Sequence, residues 1–219
     1  FEQTSMQAGS GFTGPQAVNV NEMLISPLFL NVAVILLFTL PLVTMRIYSE
    51  ERRSGTIELL LTMPVAPWHA ILGKFLASWI FLGSALALTF PIWLTVNWLG
   101  LPDNGVILAG YVGSLLLAGA YLSVASMTSA MTRNQVIAFI VAVVLCLALI
   151  LVGFVPITNM LGRYLSPAAV ERVASFGVLT HFDGFQKGVL DSRNVLFFLS
   201  VMAFSLFVTA VLVRNRRKN

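Results

Sequence analysis

Charge is what this sequence has least of. Only 10% of its 219 residues are Asp, Glu, Lys or Arg, against about 25% in a soluble domain. With 58% of the residues hydrophobic, too little polar surface remains to cover a soluble core. Cysteine is almost absent: Cys146 stands alone, which excludes an intramolecular disulfide and a cysteine metal cluster. Its expected role is that of a small packing or lipid-facing residue. No G-x-x-x-x-G-K-[ST] loop occurs, and Gly73-Lys74 is followed by Phe75 with no glycine cradle before it, so no nucleotide site is expected. HExxH and GxSxG are missing as well, so no catalytic, metal or cofactor site is assigned. The formal net charge of +4 is not read as nucleic-acid binding, because the basic residues flank apolar segments, where membrane topology accounts for them.

Period-two alternation of polar and apolar residues is missing too, which excludes an outer-membrane barrel. What is present are five stretches without Asp, Glu, Lys or Arg: Met23–Met45, Phe75–Pro102, Asn104–Thr132, Asn134–Gly162 and Asn194–Val213. Each reaches the roughly 20 residues that cross about 30 Å of hydrocarbon. The expected fold is an all-α membrane protein with about five transmembrane helices, spanning 25–46, 75–97, 106–131, 135–156 and 194–213. No Asp, Glu, Lys, Arg or His lies deep in these spans, and Cys146 is the one thiol there. Ion-coupled transporters place acids or histidines there, so a secondary transporter is disfavoured. Pro41 and Pro91 fall inside spans and remove a backbone hydrogen bond each; they read as tolerated kinks or as hinges.

Lys and Arg set the orientation. Alternating the loops puts nine basic residues on one side and four on the other, and the richer side is cytoplasmic. Residues 1–22 are then an external loop, 47–74 a cytoplasmic loop, 157–193 an external segment, and 214–219 a basic cytoplasmic tail. His69 and His181 fall on opposite sides and cannot share a site. An external start without Met is expected to reflect either a removed signal peptide or an earlier helix outside this chain.

The cytoplasmic loop carries the most information. Glu50, Glu51, Arg52 and Arg53 form a charged end to the first span, free either to pair with a partner or to stay solvated. Ser54-Gly55-Thr56 offers a break and N-cap residues. Glu58 suits the positive end of a helix dipole, and Ile57, Leu60 and Leu61 share one face. Pro64 stops that helix and Pro67 suits the first turn of the next. The pattern predicts a short amphipathic helix over Thr56–Met63, resting on the membrane surface or docked in a partner's groove. In the third span Gly119, Ser123, Ser126 and Ala130 share a face at helical spacing, where small residues let helices approach closely in lipid. In 157–193, Ser166-Pro167 reads as a cap and first turn leading a short helix Ala168–Phe176, and Asp183 reads as the cap of another running to Leu190.

Glu51-Arg52-Arg53-Ser54-Gly55-Thr56-Ile57-Glu58-Leu59-Leu60-Leu61, with Pro64 and Leu72-Gly73-Lys74 after it, resembles the first cytoplasmic loop of ABC-2 type ABC transporter permeases. The segment His181–Val195 resembles the external stretch before the last span in the gliding-motility-associated group, with Asn194 where an acid is more usual. The resemblance implies six spans in the family, so that the first precedes this chain, and it makes Ser54–Pro64 the coupling helix. It implies cytoplasmic ATPase subunits that carry ATP and Mg, a second permease copy or paralogue, and an external auxiliary protein. It places the chain in a bacterial inner membrane as a permease with no catalytic role of its own. Transport that depends on ATP rather than on an ion gradient follows. The competing readings are a secondary transporter and a membrane anchor for an external machine.

Overall fold

The computed structural model describes residues 26–55, 67–99, 102–164 and 166–215. Among the described residues there are nine helices and no strands. In chain order they are α1 (Ser26–Ser54), α2 (Pro67–Ala87), α3 (Phe90–Leu99), α4 (Asn104–Met131), α5 (Gln135–Val152), α6 (Val155–Leu161), α7 (Pro167–Ala174), α8 (Val178–Gln186) and α9 (Ser192–Asn215). Five segments are long and apolar enough to cross a membrane: α1, α2 with α3, α4, α5 and α9.

The bundle is built around α4. Asp103 caps it, its carboxylate accepting from Gly105 N at 2.8 Å. Its residues are small and apolar, so neighbours reach it from every direction, and α1, α2, α5, α8 and α9 all pack against it. Burial is therefore all round the helix, wider than the single Gly119–Ala130 face that the sequence indicates. Each outer helix instead buries one stripe and shows lipid the other. On α1 the stripe is Phe29, Ala33, Leu37, Leu40, Thr44 and Tyr48. On α5, capped by Asn134, it is Ala138, Ala142 and Cys146. Cys146 is a packing residue with no exposed surface.

Several boundaries differ from the sequence reading. At 29 residues and about 1.5 Å per residue, α1 is roughly 44 Å long and overshoots the hydrocarbon. Its charged last turns, expected in a loop from residue 47, are helical to Ser54. Gly55 ends it with φ 74°, the left-handed conformation glycine adopts after a helix. The helix runs through Pro41 without a break. The second span begins at Pro67 and is interrupted at Leu88–Thr89, so that Pro91 falls in the first turn of α3, where no donor is needed. Thr89 and the Tyr111 hydroxyl hold this break at 2.9 Å. The fourth span ends at Val152, and Gly153 turns the chain into α6.

At the end of the bundle where α9 begins, α8 slots Phe182 and Phe185 against α4 and α9, both fully buried. Gly113 makes room for Phe185: a methyl there would lie 2.6 Å from Phe185 Cβ. His181 holds α8 in place. Its ring lies 2.8 Å from both Asn194 Oδ1 and Ser175 O and stacks on Phe197. Ser166 precedes α7, but its side chain makes no capping bond. Asp183 is not a cap; it lies inside α8, pairs with exposed Lys187 one turn on, and its hydrogen bond and charge hold that ammonium above its ordinary range.

Candidate functional site

The last turns of α1 meet three other helices at the opposite end of the bundle. The contacts begin with Ser129, in the last turn of α4. Its hydroxyl accepts from Tyr48 N and Ser49 N, each at 3.1 Å, and donates to Met45 O at 3.0 Å. A neighbouring helix's oxygen thus enters the backbone hydrogen bonding of α1 across one turn. Arg52 continues the seam by donating to Ala130 O.

The acids of the cluster turn to other helices. Glu51 forms an ion pair with Lys74 of α2, partly screened from solvent. The Lys74 ammonium also sits 4.9 Å from the centre of the Tyr48 ring, a cation–π geometry. Glu50 accepts a hydrogen bond from Gln135 Nε2, the first residue of α5. Arg53 is exposed and lines a cavity of about 420 Å³ with Arg133, Asn134, Gln135 and Val136.

The sequence leaves this cluster a choice between an external partner and solvent. The structure adds a third outcome: Glu50, Glu51 and Arg52 bind α5, α2 and α4 within the chain, while Arg53 is exposed and faces the cavity. Gly55 closes α1, while Thr56, Ile57, Glu58, Leu60, Leu61 and Pro64, the rest of the predicted coupling element, lie outside the described residues.

The small residues of α4 are placed one by one. A methyl on Gly119 would lie 2.8 Å from Met202 Cε of α9 and 3.0 Å from Trp79 Nε1 of α2. Ser123 is buried and bonds the carbonyl of Ala120 one turn back. Ser126 is buried, and Ala130 lends its carbonyl to Arg52. Missing from the sequence reading are Ser129 and Gln135, which make the longest-range bonds of the site, and Gly110, whose added methyl would enter the Phe29 ring of α1. Gly110 and Gly113 repeat the small-residue signal one helical stretch before Gly119 and were open to the same reasoning. Lys74 is visible in the sequence only as loop charge and as part of Leu72-Gly73-Lys74. Its pairing with Glu51 spans 23 positions, which no local pattern encodes.

Among the described residues no group of three or more His, Cys, Asp or Glu side chains gathers to hold a metal. Among the described residues, the site consists of four helix ends joined by one ion pair and by hydrogen bonds. No curated protein matches the chain. The family model described as ABC-2 family transporter protein matches residues 4–213. Together with five candidate membrane-spanning helices, that match shows that this multi-pass membrane chain belongs to the ABC-2 transporter family.

Proposed function

We propose that the chain is the membrane-spanning permease subunit of an ATP-driven ABC-2 type transporter in a bacterial inner membrane. Its partners would be cytoplasmic ATPase subunits, which bind and hydrolyse ATP with Mg, and a second permease copy or paralogue. One observation carries this reading. The two helices that flank residues 56–66 are tied at their roots by Glu51 and Lys74, and the same few residues of α1 reach α4 through Arg52 and α5 through Glu50. Motion imposed on that loop is delivered to four spans at once. Such a junction suits a packed bundle that shifts between two discrete arrangements and would serve export or mechanical work. Assignment to the gliding-motility-associated group is part of the proposal and rests on the resemblance of His181–Val195; an external auxiliary protein goes with it.

The apolar residues of the loop provide the test. Burying a leucine contributes roughly 1.5–3 kcal/mol, so Leu60→Ala/Leu61→Ala is expected to lower the ATPase-to-permease ratio after affinity purification while membrane insertion stays normal. Glu58→Lys is expected to act in the same direction. An unchanged ratio together with unchanged ATP turnover in nanodiscs would sink the coupling role.

A further inference from the structure

Arg53 and Arg133 come from different parts of the chain, one on the last turn of α1 and the other in the link Thr132–Asn134 before α5. They line the same open cavity of about 420 Å³. Both are exposed, and neither guanidinium has a hydrogen bond or ion pair among the described residues. Among the described residues no acid lines the cavity, and Gln135 on its wall donates to Glu50. The link is fixed: Asn134 N donates to Thr132 Oγ1 at 3.1 Å and Val136 N to Asn134 Oδ1 at 2.9 Å. Arg133 is thereby held outward beside the cavity. The amino end of α5 adds to the positive potential.

The cavity opens onto an apolar ridge. Val136, on its wall, continues one and two turns along α5 as Ile140 and Val144, respectively 62%, 53% and 57% exposed. The opposite face of the helix is the buried stripe of Ala138, Ala142 and Cys146. A ligand that satisfies both halves has an anionic oxygen group at one end and a hydrocarbon chain at the other. Paired guanidiniums suit phosphate oxygens, and basic pockets between spans are a recognised form of headgroup site.

We propose that Arg53 and Arg133 form a binding site for the headgroup phosphate of an anionic phospholipid, whose acyl chain lies along Val136, Ile140 and Val144. The site is independent of the ATPase reading and stands or falls separately from it. The full chain is purified in detergent, exchanged into phosphatidylglycerol or phosphatidylcholine, and its retained lipid counted by native mass spectrometry. Wild type is expected to keep phosphatidylglycerol selectively, with glycerol phosphate unable to displace it. At about 1 kcal/mol per arginine, Arg53→Gln/Arg133→Gln is expected to weaken retention by roughly twentyfold to thirtyfold. Arg163→Gln/Arg172→Gln, at the other end of the molecule, is expected to change nothing, and Arg53→Lys/Arg133→Lys to keep part of the binding. Equal retention by wild type and the Arg53→Gln/Arg133→Gln variant would overturn the site, as would equal loss in the Arg163/Arg172 control. Displacement by glycerol phosphate would reduce it to a site for free anions. Loss of ATPase recovery in Arg133→Gln with lipid retention intact would assign these arginines to a protein partner.

Discussion

Ser114 and Ser129 lie on the same helix, both without exposed surface, yet their hydroxyls are in opposite situations. Ser129 accepts two backbone N–H groups of α1 and donates to a carbonyl there. Ser114 Oγ finds no hydrogen-bond partner among the described residues. Hydrogen bonds between membrane helices contribute about 0.6 kcal/mol on average and up to about 1.7, and Ser129, with three contacts, belongs at the upper end. Ser129→Ala is expected to lower the thermal midpoint of the purified protein, whereas Ser114→Ala is expected to be neutral or stabilising because it removes an unsatisfied buried group. Equal effects of the two substitutions would refute this division of labour. Nothing in the sequence separates the two serines: both sit among small residues in one apolar run, and only the position of α1 tells them apart. The same limit applies to the charged cluster. Glu50, Glu51, Arg52 and Arg53 are conspicuous in a chain so poor in charge, but their partners Gln135, Lys74 and Ala130 are fixed by tertiary packing.

Whole helices were more legible than single contacts, because a charge-free run of 20 residues has few alternatives to a membrane helix. Five such runs give the five candidate spans. Boundaries were harder wherever a helix crosses from hydrocarbon into the interface. The charged turns of α1 look like loop by composition, yet they are helical because α2, α4 and α5 supply partners for their side chains. Asp183 has the chemistry of a cap, but the burial of Val178 and Phe182 starts α8 a turn earlier. The anchorage of α7 and α8 depends on a close approach of Gly153 and Gly177. A methyl on Gly153 would lie 2.9 Å from Gly177 Cα and 2.6 Å from Thr180 Oγ1, and one on Gly177 would press on Gly153 backbone. Backbone cannot step aside as a side chain can, and overpacking of this kind costs about 1–3 kcal/mol. Gly177→Ala is therefore expected to loosen α7 and α8 from α5 and to speed tryptic cleavage at Arg172 and Lys187. In Gly162→Ala the new methyl meets nothing closer than 3.5 Å, so cleavage should stay at the wild-type rate; equal rates in both variants would show that the glycine contact does not hold these helices.

Across the whole molecule, the contacts fix which helix ends lie together. Glu51 with Lys74, Arg52 with Ala130, and Glu50 with Gln135 gather the end of α1, the start of α2, the end of α4 and the start of α5 at one pole. His181 with Asn194 ties α8 to the start of α9 at the other. The distribution of Lys and Arg predicts that the first pole faces the cytoplasm. In a Cys146-free background, cysteines introduced at Asp103 or Ser175 are expected to react with an impermeant thiol reagent in intact cells, and those at Ser54 or Asn219 only after permeabilisation. Labelling of Ser54→Cys from outside would invert the orientation. The Glu51–Lys74 pair has a further, mechanical effect. It closes the stretch from 51 to 74 into a ring, and the ring is anchored beside the pair itself, where Arg52 donates to Ala130 of α4. A displacement of the end of α1 or the start of α2 would be passed to the other through the pair, without first crossing the rest of the bundle. With either partner neutralised the ring is no longer closed, and the ends of α1 and α2 lose the ion pair that ties them.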